Sequence, residues 1–292
     1  MEGFDPETSF GYEVSQRYDD EPRGDEAETV AFLAELAGQQ NALELAVGTG
    51  RIALPLIQAG VRVDGIELSP DMVDRMREKP GGDQVDVTMG DMSRVTTGRT
   101  YGLAYLVFNT IGNRLTQDDQ VRCFQNAAGH LTDDGVFVVE CRIPTAPARP
   151  GHQYLDTEQV GLDHVDLDAG RYDPLTQVLD LNHIRISSGG IRLSPIRLRL
   201  AHPPEFDLMA RIAGPPAART VGRVESRAVH RHKLAPHQRL RTRRQHGVTD
   251  PGERPTTTRP PNTPRRGGQR CCPKQRQLIR TKLTIRQQRS AT

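Results

Sequence analysis

The sequence predicts an α/β fold, with a doubly wound parallel sheet and an antiparallel hairpin inserted after the fifth strand. Five apolar runs typical of buried strands begin near residues 42, 61, 85, 101 and 136, and stretches with helical spacing of apolar residues separate them. This alternation predicts parallel strands joined by right-handed helical crossovers. Farther along, two runs of alternating hydrophobicity flank Gly189-Gly190, a pattern that indicates a β-hairpin.

Capping residues place the helices between these strands. A first helix is predicted over about Glu26 to Ala37, with Gly38 as its stop. Ser69 is a suitable N-cap for a second helix, because Pro70 follows at the first helical position. Thr116 is the predicted cap of the helix before the fifth strand.

A glycine turn follows the first strand and leads into a helix. Gly48 and Gly50 allow a ligand to approach the backbone, and the helix N-terminus offers unpaired N–H groups. Glu67 ends the second strand 17 residues after Gly50. This is near the roughly 20-residue spacing at which a strand-end acid reaches a pair of ribose hydroxyls. The unit therefore predicts a site for a nucleotide or nucleoside.

Two classes of cofactor fit this site. Gly48, Gly50 and Ala53 satisfy the GxGxxA form of the dinucleotide-binding fingerprint. Glu44, however, lies inside an otherwise apolar strand four residues before Gly48, where a dinucleotide-binding fold carries an aliphatic side chain. A buried carboxylate needs a partner, so Glu44 indicates a different kind of site.

The segment Glu44-Leu-Ala46-Val-Gly48-Thr-Gly50 resembles the first motif of the class I S-adenosylmethionine-dependent methyltransferases, which runs acid-x-Gly-x-Gly-x-Gly. Ala46 stands where the motif has its first glycine. The resemblance spans residues 26–214 and implies a Rossmann-like fold with S-adenosylmethionine as the cofactor. The residues for which it implies cofactor contacts are Glu44, Ala46, Gly48, Thr49, Gly50, Glu67, Asp91, Met92 and Asn109.

The resemblance also implies individual roles. Glu67 would bind the ribose hydroxyls, and Asp91, after the third strand, would accept a hydrogen bond from the adenine amino group or, alternatively, cap a loop. Asn109 is the one candidate for catalysis, since family members often place Asn or Asp near the transferred methyl; the alternative is that it holds a backbone turn. His183 and Arg185 of the hairpin are candidates for contacts with the methyl acceptor, or else exposed hairpin residues.

Four segments are predicted: a flexible acidic N-terminal arm (1–25), a cofactor-binding methyltransferase core (26–143), a substrate-side hairpin insertion with a return helix (144–214) and a basic, disordered tail (215–292). Family members often fold the arm over the cofactor. Tyr12 or Tyr18 would then contact the cofactor, the alternative being surface tyrosines on a mobile arm.

The tail differs sharply from the rest of the chain. Residues 215–292 contain 20 Lys and Arg but 3 Asp and Glu, whereas the remainder carries a net charge of −15. The tail has no Phe, Tyr or Trp and no apolar strand pair after Gly214. We therefore expect the two strands that close the sheet in the family to be missing. This leads to the hypothesis of a reading-frame shift near Gly214, the alternative being a genuine basic tail.

The expected function is methyl transfer from S-adenosylmethionine to an unidentified small-molecule acceptor, impaired if the closing strands are absent. The alternatives are an NAD(P)-dependent oxidoreductase, a nonfunctional methyltransferase relic, and nucleic-acid binding through the tail. The tail's lack of stacking aromatics disfavours the last. The cysteines have no metal-ligand spacing, and no apolar run approaches the roughly 18 residues of a membrane span, so we expect no metal, no membrane partner and a cytoplasmic location.

Overall fold

The computed structural model describes residues 4, 9–20, 23–142, 153–214, 219–226 and 279–286 of the 292-residue chain. The helices are α1 (Tyr12–Arg17), α2 (Glu26–Ala37), α3 (Ala53–Gln58), α4 (Pro70–Arg77), α5 (Gln117–Gly129) and α6 (Pro203–Ala213). The strands are β1 (Ala42–Leu45), β2 (Val63–Glu67), β3 (Asp86–Met89), β4 (Tyr101–Leu106), β5 (Leu131–Arg142), β6 (Gln153–Val160), β7 (His164–Asp173), β8 (Val178–Ser187), β9 (Gly190–Arg199), β10 (Arg219–Ser226) and β11 (Ile279–Arg286).

The main sheet has seven strands in the order β10-β11-β5-β4-β1-β2-β3. Strands β1 to β5 are parallel where they pair, as the alternating pattern predicts. The strand order reverses between β1 and β4, and open sheets bind ligands outside the carboxyl ends of the strands at such a switch point. The predicted α/β, Rossmann-like doubly wound fold is confirmed.

The predicted helix boundaries are confirmed at three caps. Helix α2 ends where Gly38 takes a positive φ of 57°. The Ser69 side chain accepts a hydrogen bond from Met72 N at the start of α4, and Thr116 accepts one from Asp119 N at the start of α5. These caps fix where the loops at the carboxyl ends of β2 and β4 must join the helices.

Two apolar clusters lie against the sheet. One contains Phe124 of α5 and Phe206 of α6, whose rings stack with their centroids 5.9 Å apart. The other contains Leu33 of α2, Leu56 of α3 and Met76 of α4. The sheet is therefore packed by helices on both faces, which holds its strand ends rigidly in place.

The predicted hairpin is part of a larger antiparallel sheet with the order β6-β7-β8-β9. Strands β8 and β9 pair as predicted, with Ser187 opposite Gly190 at the turn. The sequence analysis missed β6 and β7, because their acidic side chains mask the alternation. Asp168 and Asp166 are matched across the strands by His183 and Arg185, so neighbouring strands supply the opposite charges.

The expectation that the closing strands are missing is wrong. Strand β11 pairs antiparallel with β5, and β10 pairs antiparallel with β11, so the edge of β5 is covered. The segments RTVGRVES and IRTKLTIR form these strands although basic residues interrupt their β-branched ones. The expected impairment through missing strands loses its basis, and the hypothesis of a frame shift rests on composition alone. The predicted disorder of the rest of the tail falls outside the described residues.

Candidate active site

A cleft of about 660 Å³, including space open to solvent, lies at the carboxyl ends of β1, β2 and β3. The residues that line it are Phe10, Tyr18, Ala46, Gly48, Ile66, Glu67, Leu68, Ser69, Met72, Gly90, Asp91, Met92, Thr110, Asn113 and Arg114. The cleft therefore combines the predicted glycine turn with the loops that follow β2, β3 and β4.

The turn after β1 contains three residues in the left-handed region: Ala46 at φ 56°, Gly48 at 59° and Gly50 at 74°. Glycine adopts this conformation without strain, whereas an alanine does not. A Cβ on Gly48 would lie 3.6 Å from Met72 Cε, an ordinary van der Waals distance, so packing within the chain does not require glycine here. A Cβ on Gly50 would lie 2.9 Å from Leu54 Cγ, so Gly50 serves packing instead.

Glu67 organises the floor of the cleft, where it is 7% exposed. Its Oε2 accepts a hydrogen bond from Gly48 N at 2.8 Å, and its Oε1 accepts from Leu68 N and Ser69 N, both at 2.9 Å. Burial raises the pKa of the Glu67 carboxyl, although these three N–H groups act in the opposite direction. One carboxylate thus fixes the glycine turn relative to the start of α4.

Glu44 does not line the cleft. It is buried, its Oε2 accepts a hydrogen bond from the Tyr105 hydroxyl at 2.9 Å, and the Ala53 backbone N–H is a further partner. Burial raises the pKa of Glu44 to about 8. The partners that this buried acid requires are therefore Tyr105 of β4 and the backbone of Ala53 at the start of α3. Glu44 thus links strand β1 to β4 and α3, on either side of the glycine turn.

Asp91 lines the cleft and is held by several partners. Its Oδ1 accepts from Ser93 N and Ser93 Oγ, both at 2.8 Å, and lies 2.8 Å from Arg114 Nη1. Arg94 Nε is 3.5 Å from the other carboxylate oxygen. Met92, next in the chain, also lines the cleft and is 6% exposed. The third strand therefore delivers Asp91 and Met92 to the cleft, as predicted.

The loop after β4 has an unusual backbone. Phe108 and Asn109 have φ values of 61° and 64°, which non-glycine residues rarely adopt. Glu140 holds this turn, because its carboxylate accepts from Phe108 N and its backbone oxygen accepts from Asn109 N, both at 3.2 Å. Strained turns of this kind are concentrated at functional sites.

Two buried amide oxygens in this loop lack a hydrogen-bond partner among the described residues, Asn109 Oδ1 and Asn113 Oδ1. Asn113 lines the cleft together with Thr110 and Arg114, whereas Asn109 does not. A buried acceptor without a partner is costly, so such atoms in a cleft wall are suited to receive a ligand N–H group.

The N-terminal arm contributes helix α1, which the sequence analysis did not predict. Asp19 receives a hydrogen bond from Thr49 Oγ1 at 2.9 Å and pairs with Lys79 Nζ at 2.5 Å. Phe10 and Tyr18 line the cleft, and burial is the main cause that raises the pKa of Tyr18. Tyr12, by contrast, is 67% exposed. Of the two tyrosines considered, Tyr18 is thus the one that borders the site.

The antiparallel sheet reaches the cleft loops through Arg199, which is 3% exposed at the end of β9. Arg199 donates to Gln120 Oε1 at 2.5 Å and to Glu205 Oε1 at 2.8 Å, while Gln120 Nε2 donates to the Ile111 carbonyl at 3.2 Å. A Cβ on Gly112 would lie 3.1 Å from a Leu198 methyl. This buried network sets the position of the loop that carries Asn113.

The two hairpin candidates are engaged within the sheet. His183 Nδ1 lies 2.5 Å from Asp168 Oδ1, and Arg185 forms a two-point pair with Asp166 at 2.7 and 2.8 Å. Neither candidate lines the cleft. Their described contacts are cross-strand pairs that stabilise the sheet.

The structure brings five of the nine sequence-predicted residues to the cleft: Ala46, Gly48, Glu67, Asp91 and Met92. The other four do not line the cleft: Glu44, Thr49, Gly50 and Asn109. The wall also includes Phe10, Ser69, Met72, Asn113 and Arg114, which sequence reasoning missed. Strand β4 ends at Leu106, several residues before Asn113 and Arg114, and the short 3-10 helix Thr110–Asn113 turns the chain back toward the site.

Comparison with known proteins agrees with this geometry. Residues 42–135 match the model of a methyltransferase domain. The structure of the CcbJ methyltransferase from Streptomyces caelestis is 38% identical in sequence and superposes with a TM-score of 0.68, covering 75% of this chain and 90% of that one. The chain belongs to the class I S-adenosylmethionine-dependent methyltransferases. The cofactor of this methyltransferase is therefore S-adenosylmethionine, and the dinucleotide alternative is set aside.

Two curated relatives are enzymes from Streptomyces. One is the dTDP-3-amino-3,6-dideoxy-α-D-glucopyranose N,N-dimethyltransferase of Streptomyces fradiae, 30% identical over 164 residues, which are 53% of this chain and 64% of that protein. The other is the cypemycin N-terminal methyltransferase of a Streptomyces species, 27% identical over 109 residues, which are 37% of this chain and 44% of that protein. The methyltransferase thus aligns with less than two thirds of either relative.

No group of three or more His, Cys, Asp or Glu side chains among the described residues could hold a metal ion. No helix in the described part of the chain has the length and apolar character needed to cross a membrane.

Proposed function

We propose that this chain transfers the methyl group of S-adenosylmethionine to an amino group of a small, sugar-like molecule. The observation that carries the proposal is the cleft in which Gly48, Glu67 and Asp91 meet. Support for an amine comes from the relatives, since one is named for an amino-sugar substrate and the other for a peptide N-terminus. Both names describe methylation of nitrogen.

In the proposed arrangement, Glu67 binds the ribose hydroxyls and Asp91 with Met92 borders the adenine. Gly48 lines the cleft and has no side chain, so the ligand can approach its backbone there. The unpartnered Oδ1 of Asn113 provides a buried acceptor for a cofactor N–H group. S-adenosylmethionine supplies an activated methyl group on a sulfonium, so the protein mainly needs to align the acceptor and exclude water.

The acceptor is proposed to enter beside the strained loop at Phe108 and Asn109. Asn109 does not line the cleft, and its proposed role is to hold the turn from which Thr110, Asn113 and Arg114 reach the cleft. Phe10 and Tyr18 also line the cleft, and their rings are proposed to limit the access of water to the methyl group. No histidine lines the cleft in the described structure, so we propose that the amine binds in its neutral form and that its proton is lost to solvent.

A Glu67→Gln variant tests the cofactor assignment better than an alanine. Alanine would leave three backbone N–H groups without an acceptor, which disturbs the fold as well as binding. Glutamine keeps the shape but offers one acceptor oxygen in place of two. We expect its affinity for S-adenosylmethionine to fall about 10- to 100-fold, the range for a lost charge-assisted hydrogen bond.

The measurement is isothermal titration calorimetry on the full chain, with Glu35→Gln on the exposed side of α2 as the matched control. Thermal melts of both variants show that the folded state is retained. Wild-type affinity in Glu67→Gln would contradict the assignment of Glu67 to the ribose. For the acceptor, dTDP-3-amino-3,6-dideoxyglucose and its 3-hydroxy counterpart are compared by mass spectrometry, and methylation of the alcohol but not the amine would refute the proposed acceptor class.

A further inference from the structure

Two consecutive residues of the cleft wall each carry a buried polar atom without a hydrogen-bond partner. Asn113 Oδ1 is an acceptor and Arg114 Nε is a donor, and neither is paired within the part of the chain that the structure describes. Both residues line the cleft. An unpaired buried atom is costly, so an acceptor beside a donor in a cleft wall indicates a ligand that offers the complementary pair.

An ion pair holds Arg114 in this wall. Its Nη1 lies 2.8 Å from Asp91 Oδ1, and its side chain is 14% exposed. Its backbone N–H donates to the Ile111 carbonyl at 3.1 Å, where the 3-10 helix Thr110–Asn113 ends. Because the ion pair uses Nη1 of the guanidinium, the Nε–H remains for a ligand.

Asp91 has little acceptor capacity left for a ligand on its Oδ1. This oxygen lies 2.8 Å from each of three donors, Ser93 N, Ser93 Oγ and Arg114 Nη1, although a carboxylate oxygen has only two lone pairs. Oδ2 lies 3.5 Å from Nε of Arg94, whose side chain is 65% exposed. Asp91 therefore holds the turn at Ser93 and orients Arg114, and a ligand amino group is better served by Asn113 Oδ1.

We propose that Asn113 and Arg114 recognise the edge of the cofactor's adenine that carries the 6-amino group and ring atom N1. The assignment rests on the proposed function, since it takes the cleft to be the S-adenosylmethionine site. The amino group donates a hydrogen bond to Asn113 Oδ1, and N1 accepts one from Arg114 Nε. Asp91 is then a positioning residue that acts through Arg114, whereas the family resemblance implies that Asp91 itself accepts from the amino group.

This pairing makes Asn113 and Arg114 specificity-determining residues for the nucleobase. A 6-oxo purine has an acceptor oxygen at position 6 and an N–H at position 1, the reverse of adenine. It would place its oxygen against Asn113 Oδ1 and its N–H against the Nε–H of Arg114, which leaves all four groups unpaired. Sites that hydrogen-bond a ligand reject an analogue that lacks the matching group, because their own buried polar groups then have no partner.

The test is isothermal titration calorimetry of the full-length protein with three ligands. They are S-adenosylhomocysteine, an analogue in which a C–H replaces N1, and an analogue without the 6-amino group. The wild type should bind each analogue about 10-fold or more weakly than S-adenosylhomocysteine. Arg114→Met keeps a long side chain but removes the donor, so it should no longer distinguish the N1 analogue while it still rejects the analogue without the amino group. Asn113→Ala should show the opposite pattern.

Arg94→Met is the matched control, because Arg94 also faces Asp91 but does not line the cleft. It should distinguish both analogues like the wild type, and thermal melts verify that the variants fold. Asp91→Ala separates the two assignments of the amino group. If Asp91 acts through Arg114, this variant should bind the N1 analogue and S-adenosylhomocysteine more equally while it still rejects the analogue without the amino group.

The possible outcomes separate this inference from the proposed function. Equal binding of all three ligands by the wild type, or continued rejection of the N1 analogue by Arg114→Met, would overturn the roles of Asn113 and Arg114 and leave the cofactor assignment standing. Loss of amino-group discrimination in Asp91→Ala but not in Asn113→Ala would do the same. A folded wild type that does not bind S-adenosylhomocysteine would overturn the proposed function as well.

Discussion

The buried acid Glu44 should make the stability of this methyltransferase fall as the pH rises. Its pKa is about 8 in the folded protein, above the usual 4.5. Between these two values the folded chain holds a proton that the unfolded chain has released, so the free energy of unfolding decreases with increasing pH. Below pH 4.5 Glu44 is protonated in both states, so the free energy of unfolding no longer changes with pH through this group. The loss is complete at about pH 8.

Glu44→Gln should remove this dependence. The amide resembles the neutral acid: its oxygen can accept from Ala53 N, and its NH₂ group can donate to the Tyr105 hydroxyl oxygen. At about 1.4 kcal/mol per pKa unit, the variant should gain on the order of 4 kcal/mol relative to wild type between pH 5 and pH 8. A packing cost of the substitution that does not depend on pH cancels when the stabilities at pH 5 and pH 8 are compared.

The assay is urea denaturation followed by circular dichroism at pH 5, 6, 7 and 8, since the chain has no Trp for fluorescence. Other titrating groups affect both proteins equally, so the difference between them isolates Glu44. Tyr105→Phe serves as a second variant, because loss of the hydroxyl donor should raise the pKa of Glu44 further and extend the fall in stability to higher pH. A wild-type and Glu44→Gln difference that is the same at pH 5 and pH 8 would refute the reasoning.

Two other predictions concern the glycine turn and the tail. Ala46→Gly should raise the free energy of unfolding by about 0.5–1 kcal/mol in denaturant melts. The reason is that relief of the strain at φ 56°, worth about 1–2 kcal/mol, exceeds the added entropy of an unfolded glycine, which costs about 0.4–1 kcal/mol. A loss of stability would show that the alanine methyl packs favourably. Resequencing the gene across the Gly214 codon should show one base more or fewer than the present frame if the frame-shift hypothesis is correct, and an unchanged gene sequence would rule it out.

Local signals in the sequence were enough to predict the helices of the methyltransferase core. The caps at Ser69 and Thr116 and the stop at Gly38 are determined by residues next to them, so the helix ends follow from the sequence alone. The position of the cleft at Gly48 and Glu67 was likewise predictable, because the turn and the strand-end acid lie within one β-α-β unit.

The remaining features depend on partners far along the chain. Glu44 was predicted to contact the cofactor, yet its partner Tyr105 lies 61 residues away on β4. Helix α1 is anchored by the bond from Thr49 to Asp19, which no local pattern indicates. The acidic sequence of β7 is typical of a loop, and the pairing of Asp168 with His183 of the neighbouring strand is not visible in the local sequence. Contacts of this kind are set by tertiary structure, which overrides local propensity.

The central claim is that the cleft at the ends of β1, β2 and β3 binds S-adenosylmethionine, and calorimetry on the full-length wild-type protein tests it directly. S-adenosylmethionine and its demethylated product should each bind with a stoichiometry of one, and NAD should give no binding heat. A protein that binds NAD, or that binds neither form of the methyl donor while showing a cooperative melt, would contradict the account.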